Sequence, residues 1–377
     1  MSNTTAPSNS AVWIPSSRHD LVVGPAPYTR PGVGQLVVRN HALAINPVDR
    51  YKQLGGNALY SWVKYPFVLG SDLAGEVVEV GDGVTRFSVG DRVIAHAVGV
   101  EKVSNSPAEG AFQEYSVVRA RLTAVIPESL PYERAVVLPL AVSTAACGLF
   151  QKDQLGLEYP SLDPAPQNAW LLVWGGSTSV GSNAIQLAVA AGYHVITTAS
   201  PRNFDYVRQL GASLVVDYAS PTAVAEIIDA MRGKTMAGAL AVATGSAGAC
   251  LEVVTASEGS RFVSVATGGV SFDELDRDKG MGWQLPWFGL RLVASTMPLM
   301  VRAAMRRAQV KFIWGSSLLG NEVSTKLYGE YLPAALAAGR YLAAPEPHVV
   351  GHGLDVVQRA FDVQAAGVSA RKVVVTL

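Results

Sequence analysis

The 377-residue chain has only two cysteines, Cys147 and Cys250, and few charged residues. Two cysteines cannot build a disulfide framework, nor a structural zinc lobe, which needs four closely spaced cysteine ligands. Asp, Glu, Lys and Arg make up 16% of the chain, and 30 basic residues balance 30 acidic ones. Binding to nucleic acid or to an anionic membrane needs clustered Lys and Arg. The composition therefore predicts neither partner and favours a small-molecule substrate.

The sequence also predicts no membrane-spanning run and no secretory signal in its first residues. Gly, Pro or a charge interrupts every apolar stretch within roughly 20 residues, the length that crosses a bilayer. Residues 1–10 are small and polar, without the basic and then apolar order of a secretory signal. We therefore expect a soluble, cytoplasmic protein. Cys147 lies in the apolar stretch 145–150, which favours a core residue over a nucleophile.

One histidine pair has the spacing of two metal ligands on a helix. His348 and His352 are four residues apart, but prolines and glycines surround them, and no acidic third ligand follows in register. We predict that this segment is a loop with two solvated imidazoles.

The pattern of apolar and turn-forming residues changes near residue 140. Before that point, short β-branched runs such as 77–80 and 92–95 are bounded by Gly, Pro and Asp, which indicates an antiparallel, barrel-like β domain. After it, strand-sized apolar runs alternate with helical stretches, which is typical of a parallel sheet covered by helices. These runs are residues 171–174, 194–197, 214–216, 240–243, 262–265 and 311–314.

The remaining segments are less regular. Residues 324–336 and 354–364 are helix-like, and 371–375 form a strand-like run. Residues 272–307, with Trp283 and Trp287, show no clear period. Two interpretations of this segment stay open, a lid that faces the substrate and an irregular part of the core.

Residues 170–200 follow the order strand, glycine turn, helix and strand, which is that of a dinucleotide-binding unit. Such a turn lets backbone N–H groups and a helix N-terminus bind a pyrophosphate. The middle positions are Thr178 and Ser179 rather than glycine, and their hydroxyls can donate to phosphate. The alternative is an ordinary strand-to-helix connection. The predicted cofactor-binding residues of the turn are Gly175, Gly176, Ser177, Thr178, Ser179, Val180 and Gly181.

The end of the second strand predicts which nucleotide is bound. A site for NAD places an acidic residue about 20 residues beyond the glycines, but no carboxylate precedes Asp205 here. Ser200 can donate a hydrogen bond to a 2′-phosphate, and Arg202 can supply the positive charge that a phosphate needs. We therefore predict NADPH, with Asn203 in the same turn. In the alternative, Arg202 and Asn203 are merely exposed turn residues.

Three blocks upstream of the turn extend this pattern. They are Asn46-Pro47-Val48-Asp49, Gly70-Ser71-Asp72-Leu73-Ala74-Gly75 and Phe87-Ser88-Val89-Gly90-Asp91-Arg92-Val93. With these blocks and the glycine turn, the chain resembles the medium-chain dehydrogenase/reductase family over nearly its whole length. The resemblance implies an α/β fold in which a Rossmann doubly wound parallel sheet is joined to a GroES-like β-barrel domain.

The resemblance also implies the domain boundaries. The GroES-like domain would span residues 1–140 and be completed by 319–377, and the Rossmann domain would span 141–318. The active site is expected in the cleft between them. Tyr218 occupies a place where relatives pack a ring near the 2′-phosphate.

Zinc-using members of the family carry Cys in the first block and Gly-His-Glu in the second. This chain has Asn and Pro, then Gly-Ser-Asp, at those places, so we predict that no metal is used. The two carboxylates in these blocks, Asp49 and Asp72, are interpreted as turn and cap formers.

Within the family, the zinc-free pattern resembles quinone oxidoreductases and, more closely, the stand-alone enoyl reductases that serve fungal polyketide synthases. Residues 175–187, 197–205 and 210–212 carry the closer likeness. It implies hydride transfer from NADPH to a double bond conjugated to a carbonyl, in secondary metabolism, on a small-molecule substrate that a polyketide synthase can carry. A homodimer is also expected. A quinone reductase and an NADPH-binding scaffold without turnover are the alternatives.

The resemblance also implies candidates at the reacting end. Tyr51 matches a tyrosine that quinone reductases place near the nicotinamide, and enoyl reductases often have a lysine nearby, as Lys52 is here. Either can donate a proton, since Tyr and Lys are mostly protonated near neutral pH. Thr144 matches a hydroxyl set against the nicotinamide, and Asn46 would help to fix the same ring. The alternatives are a surface-packed pair for Tyr51 and Lys52 and a helix cap for Thr144.

Overall fold

The structure, a computed structural model, describes residues 7–277 and 279–377. Its contacts divide the chain into two compact units: the first runs up to Leu140 and includes Glu346–Leu377, and the second is Ala141–Pro345. The chain thus returns to the first unit at Glu346, whereas we expected it to return at residue 319. The reason is that residues 319–345 are tied into the second unit. Tyr328 Oη lies 2.8 Å from Ser143 Oγ, and Tyr341 Oη donates to Asn183 Oδ1 at 2.7 Å.

The described residues form seventeen strands and ten α-helices. The strands are β1 (Asn9–Ile14), β2 (Val22–Ala26), β3 (Gln35–Ala44), β4 (Phe67–Val68), β5 (Asp72–Val80), β6 (Arg92–His96), β7 (Tyr115–Arg119), β8 (Thr123–Val125), β9 (Ala169–Trp174), β10 (His194–Ala199), β11 (Leu214–Asp217), β12 (Thr235–Ala241), β13 (Glu258–Gly259), β14 (Phe262–Val265), β15 (Gln309–Phe312), β16 (Glu346–His352) and β17 (Arg371–Thr376). The helices are α1 (Pro47–Gly55), α2 (Tyr132–Ala135), α3 (Pro139–Phe150), α4 (Ser179–Ala190), α5 (Phe204–Gln209), α6 (Ala223–Ala230), α7 (Ala247–Ala256), α8 (Met281–Met305), α9 (Leu332–Ala337) and α10 (Val357–Ala365).

The first unit is built from two sheets. One has the order β2-β1-β4, and the other has the order β16-β17-β3-β5-β6-β8, with β7 on β3. All pairs are antiparallel except β16 with β17, so the antiparallel prediction is confirmed. Leu36, Leu43 and Leu73 are fully buried in the core of this unit.

The histidine segment is a strand, and the predicted loop is wrong. His348 and His352 lie in β16, where they pair with Val373 and Thr376 of β17. Because β16 is an edge strand, a proline such as Pro347 is tolerated there.

The second unit contains one parallel sheet in the order β11-β10-β9-β12-β14-β15, with the short β13 beside β12. Counted along this unit, the order is 3-2-1-4-5-6, that of the doubly wound dinucleotide-binding fold. Helix α4 packs on β9 and β10, and α7 packs on β12 and β14. The prediction of a parallel sheet is confirmed. Strand β12 ends two residues before the end of the predicted run 240–243, and β15 begins two residues before the predicted run 311–314.

Two segments depart from the expectations. Residues 281–305, inside the segment without a clear period, form the 25-residue helix α8. Residues 132–150 have the length and hydropathy that a membrane-spanning helix needs, but 78% of that window is buried inside the protein. The expectation that no run reaches this length is therefore wrong for this stretch. Its burial is that of a core helix.

Candidate functional site

Glycines close the turn after β9 and leave no room for side chains. Gly175 has a φ of 100°, a conformation that favours glycine. A Cβ on Gly176 would lie 2.1 Å from Thr197 Oγ1, and one on Gly181 would lie 2.2 Å from the carbonyl oxygen of Gly175. The N-terminus of α4 is thereby brought against the end of β9, in the arrangement that a pyrophosphate-binding turn requires.

Thr178 serves the turn itself. Its Oγ1 accepts a hydrogen bond from the Gly181 N–H at 3.0 Å and donates to the carbonyl oxygen of Gly175 at 2.8 Å. We expected this hydroxyl to donate to a phosphate. A hydroxyl has only one proton to donate, however, and the carbonyl oxygen of Gly175 already accepts it. The half-buried Ser177, Ser179 and Val180 remain at the start of α4, where first-turn N–H groups have no acceptor within the helix.

The predicted 2′-phosphate residues lie at the same edge of the sheet. Strands β10 and β11 are parallel with Ala199 opposite Asp217, so Ser200 and Tyr218 follow neighbouring strand ends. Asn203 Nδ2 donates to Ser200 Oγ at 3.2 Å, which positions the serine. The side chains of Arg202 and Tyr218 are exposed.

Two further loops, which were not predicted from the sequence, reach this edge. The N–H groups of Val242 and Ala243 bond the carbonyl oxygen of Trp174 at 3.0 and 3.3 Å. This places loop 243–246 beside the glycine turn, where the strand order reverses and ligands bind in such sheets. Loop 266–269 follows the next strand, β14. The signal was present, since both loops begin Ala-Thr-Gly after a buried strand.

Helix α3 positions Thr144 and buries Cys147. Thr144 is half-buried in the middle of this helix, so the helix-cap alternative is wrong. One residue earlier, Ser143 contacts Tyr328 and anchors the helix. Cys147 is fully buried, as predicted. Burial raises the pKa of its thiol to about 11, which keeps it protonated and unsuited to nucleophilic attack.

In the first unit, Asn46 lies within a buried network of polar side chains. Its Nδ2 donates to Asp72 Oδ2 at 2.9 Å and to Asp49 Oδ2 at 3.3 Å. Its Oδ1 accepts a hydrogen bond from Lys372 Nζ. Both amide protons are therefore used within the network, which leaves no donor for the predicted contact with a nicotinamide ring.

The two carboxylates of this network have different roles. Asp49 Oδ2 accepts from the Asn46 N–H at 2.8 Å and completes a capping box at the start of α1, so its predicted cap role is confirmed. Asp72 is no turn former, but it does cap a helix, because it bonds a first-turn N–H of α3. It lies fully buried in β5, where its Oδ1 accepts from the Leu140 N–H at 2.6 Å.

Lys372, which the sequence analysis overlooked, is the cation of this network. It lies in β17, is 4% exposed, and its Nζ is 3.0 Å from Asp72 Oδ2. The only signal was a lysine directly before the apolar run 373–375.

The positions of the expected zinc ligands do not fit zinc. Asn46, Ser71 and Asp72 stand in the blocks where zinc-using relatives carry Cys, His and Glu. An amide, a hydroxyl and a carboxylate already paired with an ammonium group are not the nitrogen and sulfur set that zinc prefers. In residues 7–277 and 279–377, no group of three or more His, Cys, Asp or Glu could hold a metal ion.

Burial shifts the pKa values of two groups, Asp49 in this network and His96 beside Asp72, in opposite directions. Burial, with a contribution from Asp72, raises the pKa of Asp49 to about 7, although Ser71 Oγ donates to it at 2.7 Å. Burial also lowers the pKa of His96 to about 4. Each group is therefore neutral over a pH range in which it would be charged in the unfolded chain.

Asp49→Asn should change the pH dependence of stability. Between about pH 4 and 7 folded Asp49 holds a proton that the unfolded chain releases, so its contribution falls as pH rises. Between about pH 4 and 6.5 unfolding adds a proton to His96, so its contribution rises with pH. These slopes, each up to about 1.4 kcal/mol per pH unit, oppose each other. Thermal unfolding followed by circular dichroism across this range should show a nearly level Tm for the wild type and a rising one for the variant.

The reciprocal variant is the control for this prediction. His96→Gln removes the rising contribution, so its Tm should fall over the same range. Parallel profiles for all three proteins would contradict the assignment of these shifts.

Helix α1 carries the two candidate proton donors. Lys52 is 1% exposed, so the surface alternative is wrong for it. Its Nζ donates to the carbonyl oxygens of Leu59 and Tyr60 at 2.9 and 3.1 Å and lies 4.8 Å from the centre of the Tyr65 ring. The ammonium thus holds the chain after α1. Tyr51 is half-buried on the same helix.

Both units match known protein families. Residues 32–128 match the alcohol dehydrogenase GroES-like domain, and residues 179–303 match the family described as zinc-binding dehydrogenase.

Curated fungal proteins are similar over nearly the whole chain. Dehydrogenase pigH of Monascus ruber is 47% identical over 374 residues, with 98% of this chain and 100% of that protein covered. Dehydrogenase azaJ of Aspergillus niger is 48% identical over 378 residues, with coverage of 98% and 99%. Trans-enoyl reductase himH of Aspergillus japonicus is 38% identical over 377 residues, with coverage of 98% and 97%.

Solved structures share the fold at lower identity. The CurK enoyl reductase matches with a TM-score of 0.71 at 17% identity, covering 98% of this chain and 99% of that one. The quinone oxidoreductase of Coxiella burnetii matches with a TM-score of 0.66 at 20% identity, covering 98% and 100%. From the two family matches and the fungal relatives, the chain belongs to the medium-chain dehydrogenase/reductase family of NAD(P)H-using oxidoreductases, with a GroES-like and a Rossmann domain.

Proposed function

We propose that this protein is a zinc-independent, NADPH-dependent reductase of the activated C=C bond in an enoyl or enone substrate. The observation that carries the proposal is the ion pair between Lys372 and Asp72, 3.0 Å apart among the residues at the zinc-ligand positions. A protein ammonium group there supplies the positive charge that balances the buried carboxylate. Reduction of a conjugated C=C bond suits such a site, because the developing enolate can be stabilised by hydrogen-bond donors and a proton rather than by a Lewis acid.

The cofactor-binding roles follow from the second unit. Gly175 and Gly176 let the pyrophosphate approach the first turn of α4, where Ser177, Ser179 and Val180 offer donors. Ser200, positioned by Asn203, and the exposed Arg202 bind the 2′-phosphate, and Tyr218 covers it. The bound reduced nicotinamide would supply the hydride for the β-carbon of the substrate.

The roles at the reacting end are divided among three residues. Tyr51 donates its phenolic proton to the enolate, because the buried ammonium of Lys52 is held by two carbonyl groups and faces the Tyr65 ring. Lys52 acts as a positioning residue by holding the chain after α1. The hydroxyl of Thr144 orients the nicotinamide ring.

The proposal extends to the substrate class and the setting. The substrate is an enoyl thioester or enone of secondary metabolism, carried by a polyketide synthase in the cytoplasm. Support comes from fungal relatives named trans-enoyl reductase, at 38% identity for himH and 31% for tndF of Aspergillus flavipes.

The direct test is consumption of NADPH with an enoyl thioester, an enone or a quinone, followed at 340 nm. With NADPH deuterated at the transferred position, product mass spectrometry should place one deuterium on the β-carbon. Turnover of quinones alone would favour a quinone reductase, and no turnover with any of them would favour a binding scaffold. Stoichiometric zinc that chelation removes together with the activity would refute zinc independence.

Arg202→Ala should weaken NADPH binding by about 1 to 3 kcal/mol, the contribution of a charge-assisted contact, and leave NADH binding nearly unchanged. Fluorescence titration with each nucleotide measures both affinities. Arg208→Ala is the matched control, because Arg208 is exposed nearby but pairs with Asp205 at 3.0 Å. Equal losses for the two nucleotides would exclude a role for Arg202 at the phosphate.

Tyr51→Phe should lower kcat by roughly 10²-fold, a usual contribution of a general acid, with NADPH affinity near normal. Steady-state kinetics with an enoyl thioester and a nucleotide titration separate the two effects. Tyr115→Phe serves as the control, since Tyr115 packs against Tyr28 in the same unit. Unchanged turnover in Tyr51→Phe would remove this residue from the mechanism.

A further inference from the structure

Helix α8 exposes an unusual amount of apolar surface. Trp283 is 90% exposed and Trp287 63%, while Leu290, Met297 and Val301 are each more than half exposed. Contiguous exposed patches of this kind mark interaction sites. Pro286 and Pro298 lie inside the helix, and proline disfavours a helix interior by about 3 kcal/mol. Packing against a neighbour can offset that cost.

Two opposite faces of α8 each carry an apolar row, and the exposed Val293 and Met300 lie on a flank between them. Phe288, Leu299 and Ala303 face the helix's own unit, where Leu299 and Ala303 join the core beneath the sheet and Phe288 contacts Phe272. The opposite face carries a second apolar row, which we name the outer row. Its members are Trp283, Trp287, Leu290, Ala294, Met297, Val301 and Ala304, and all of them are exposed.

The outer row has the spacing of a helix-pairing seam. Its steps are 4, 3, 4, 3, 4 and 3 residues, the alternation of a and d positions in a heptad repeat. The row spans 21 residue steps, or about 32 Å at 1.5 Å per residue. The spacing therefore indicates a helix as the occupant.

We propose that the outer row pairs antiparallel with the outer row of a second copy of this chain. Around a two-fold axis between Ala294 and Met297, the largest residue types meet alanines, and Trp283 lies beyond the last layer because α8 ends before its partner position. Trp287 faces Ala304 of the second copy, Leu290 faces Val301, and Ala294 faces Met297. Such layers fill space evenly, as well-packed cores do.

Parallel pairing lacks this fit. It would set Trp287 against Trp287 of the second copy and Ala294 against Ala294, which gives one overpacked layer and one cavity. Both are destabilising. A membrane surface would need bulk apolar residues but no alternation of large and small ones.

Area and charge also suit a second copy. The two tryptophans carry about 150–250 Å² each, and the exposed Leu, Met and Val side chains of α8 add to this, which brings the apolar surface toward the roughly 800 Å² that one side of a stable interface buries. Arg291 flanks the row but is paired with Glu274. Its nearest flank residue in the antiparallel pair is Pro298 of the second copy, so no like charges meet. This surface is separate from the proposed reaction and does not depend on it.

A pair of charge substitutions tests both the interface and its direction. By sedimentation velocity near 10 µM, the wild type should be a dimer. Leu290→Glu and Val301→Lys, made singly, should each raise the dissociation constant at least about 100-fold, because each buries unpaired charges in two layers. The double variant should dimerise again, since each introduced carboxylate faces an introduced ammonium of the other copy. In a parallel pair like charges would meet, and dimerisation would not return.

Thr296→Glu is the control, because Thr296 is exposed on α8 outside the outer row, and this variant should remain a dimer. Circular dichroism of every variant verifies that it is folded. A monomeric wild type, a dimer that Leu290→Glu leaves intact, or a double variant that stays monomeric would overturn the proposal. So would a monomeric wild type that co-sediments with phosphatidylserine vesicles through this face.

Discussion

Lys372→Met is expected to lower the free energy of unfolding by about 3–5 kcal/mol, the loss on removing one partner of a buried ion pair. Lys372 is the cation paired with the fully buried Asp72, at 3.0 Å. Its Nζ also donates to Asn46 Oδ1. Without it, Asp72 must either stay charged without a counterion or take up a proton. Urea unfolding followed by circular dichroism measures the loss.

Two further variants separate this effect from the loss of a side chain. Asp72→Asn combined with Lys372→Met removes both charges, so the double variant should be more stable than Lys372→Met alone. Lys311→Met removes a half-exposed lysine paired with Asp153, and exposed pairs contribute about 0–1 kcal/mol. Losses of unfolding free energy of similar size at Lys311 and Lys372 would show that the buried pair contributes no more to stability than an exposed pair.

Gly176→Ala is expected to weaken NADPH binding by at least about 100-fold, equivalent to about 2.7 kcal/mol. The added Cβ would lie 2.1 Å from Thr197 Oγ1 and 2.9 Å from Ile185 Cδ1. The turn must then move away from β10, and the N-terminus of α4 moves with it. Overpacking of this kind also costs about 1–3 kcal/mol of stability. Fluorescence titration with NADPH and thermal unfolding report the two effects separately.

Gly320→Ala is the matched control, because a Cβ on Gly320 meets nothing within 4 Å. It should bind NADPH normally. Adding Thr197→Ala to Gly176→Ala removes the nearest clashing atom and should recover part of the affinity. Normal NADPH affinity in Gly176→Ala would mean that the turn does not hold the cofactor.

Local patterns were enough to predict the second unit. Each parallel strand is a short apolar run between turn residues, and each helix between them has its own apolar face, so residues close in the sequence determine these elements. The turn at Gly175 was predictable for the same reason. The residues at the ends of the first three strands meet because parallel strands present their carboxyl ends at one edge.

Helix α8 escaped prediction because it has two apolar faces. The row of Phe288, Leu299 and Ala303 and the outer row lie on opposite sides, so no single apolar face marks the helical period. Pro286 and Pro298 add signals that usually end a helix. Only the contacts of the helix with its own unit distinguish the two faces.

The sequence by itself determined the strand-helix alternation around the glycine turn, that turn and the blocks at Asn46 and Asp72, since these depend on neighbouring residues. The tertiary structure alone decided which distant side chains contact those blocks. Lys372 reaches Asn46 across 326 positions of the chain, and nothing local to either residue specifies that contact. Burial then makes either charge of the ion pair costly to leave unpaired and shifts the pKa of Asp49, because the cost of a charge depends on its surroundings in space rather than on its neighbours in the chain.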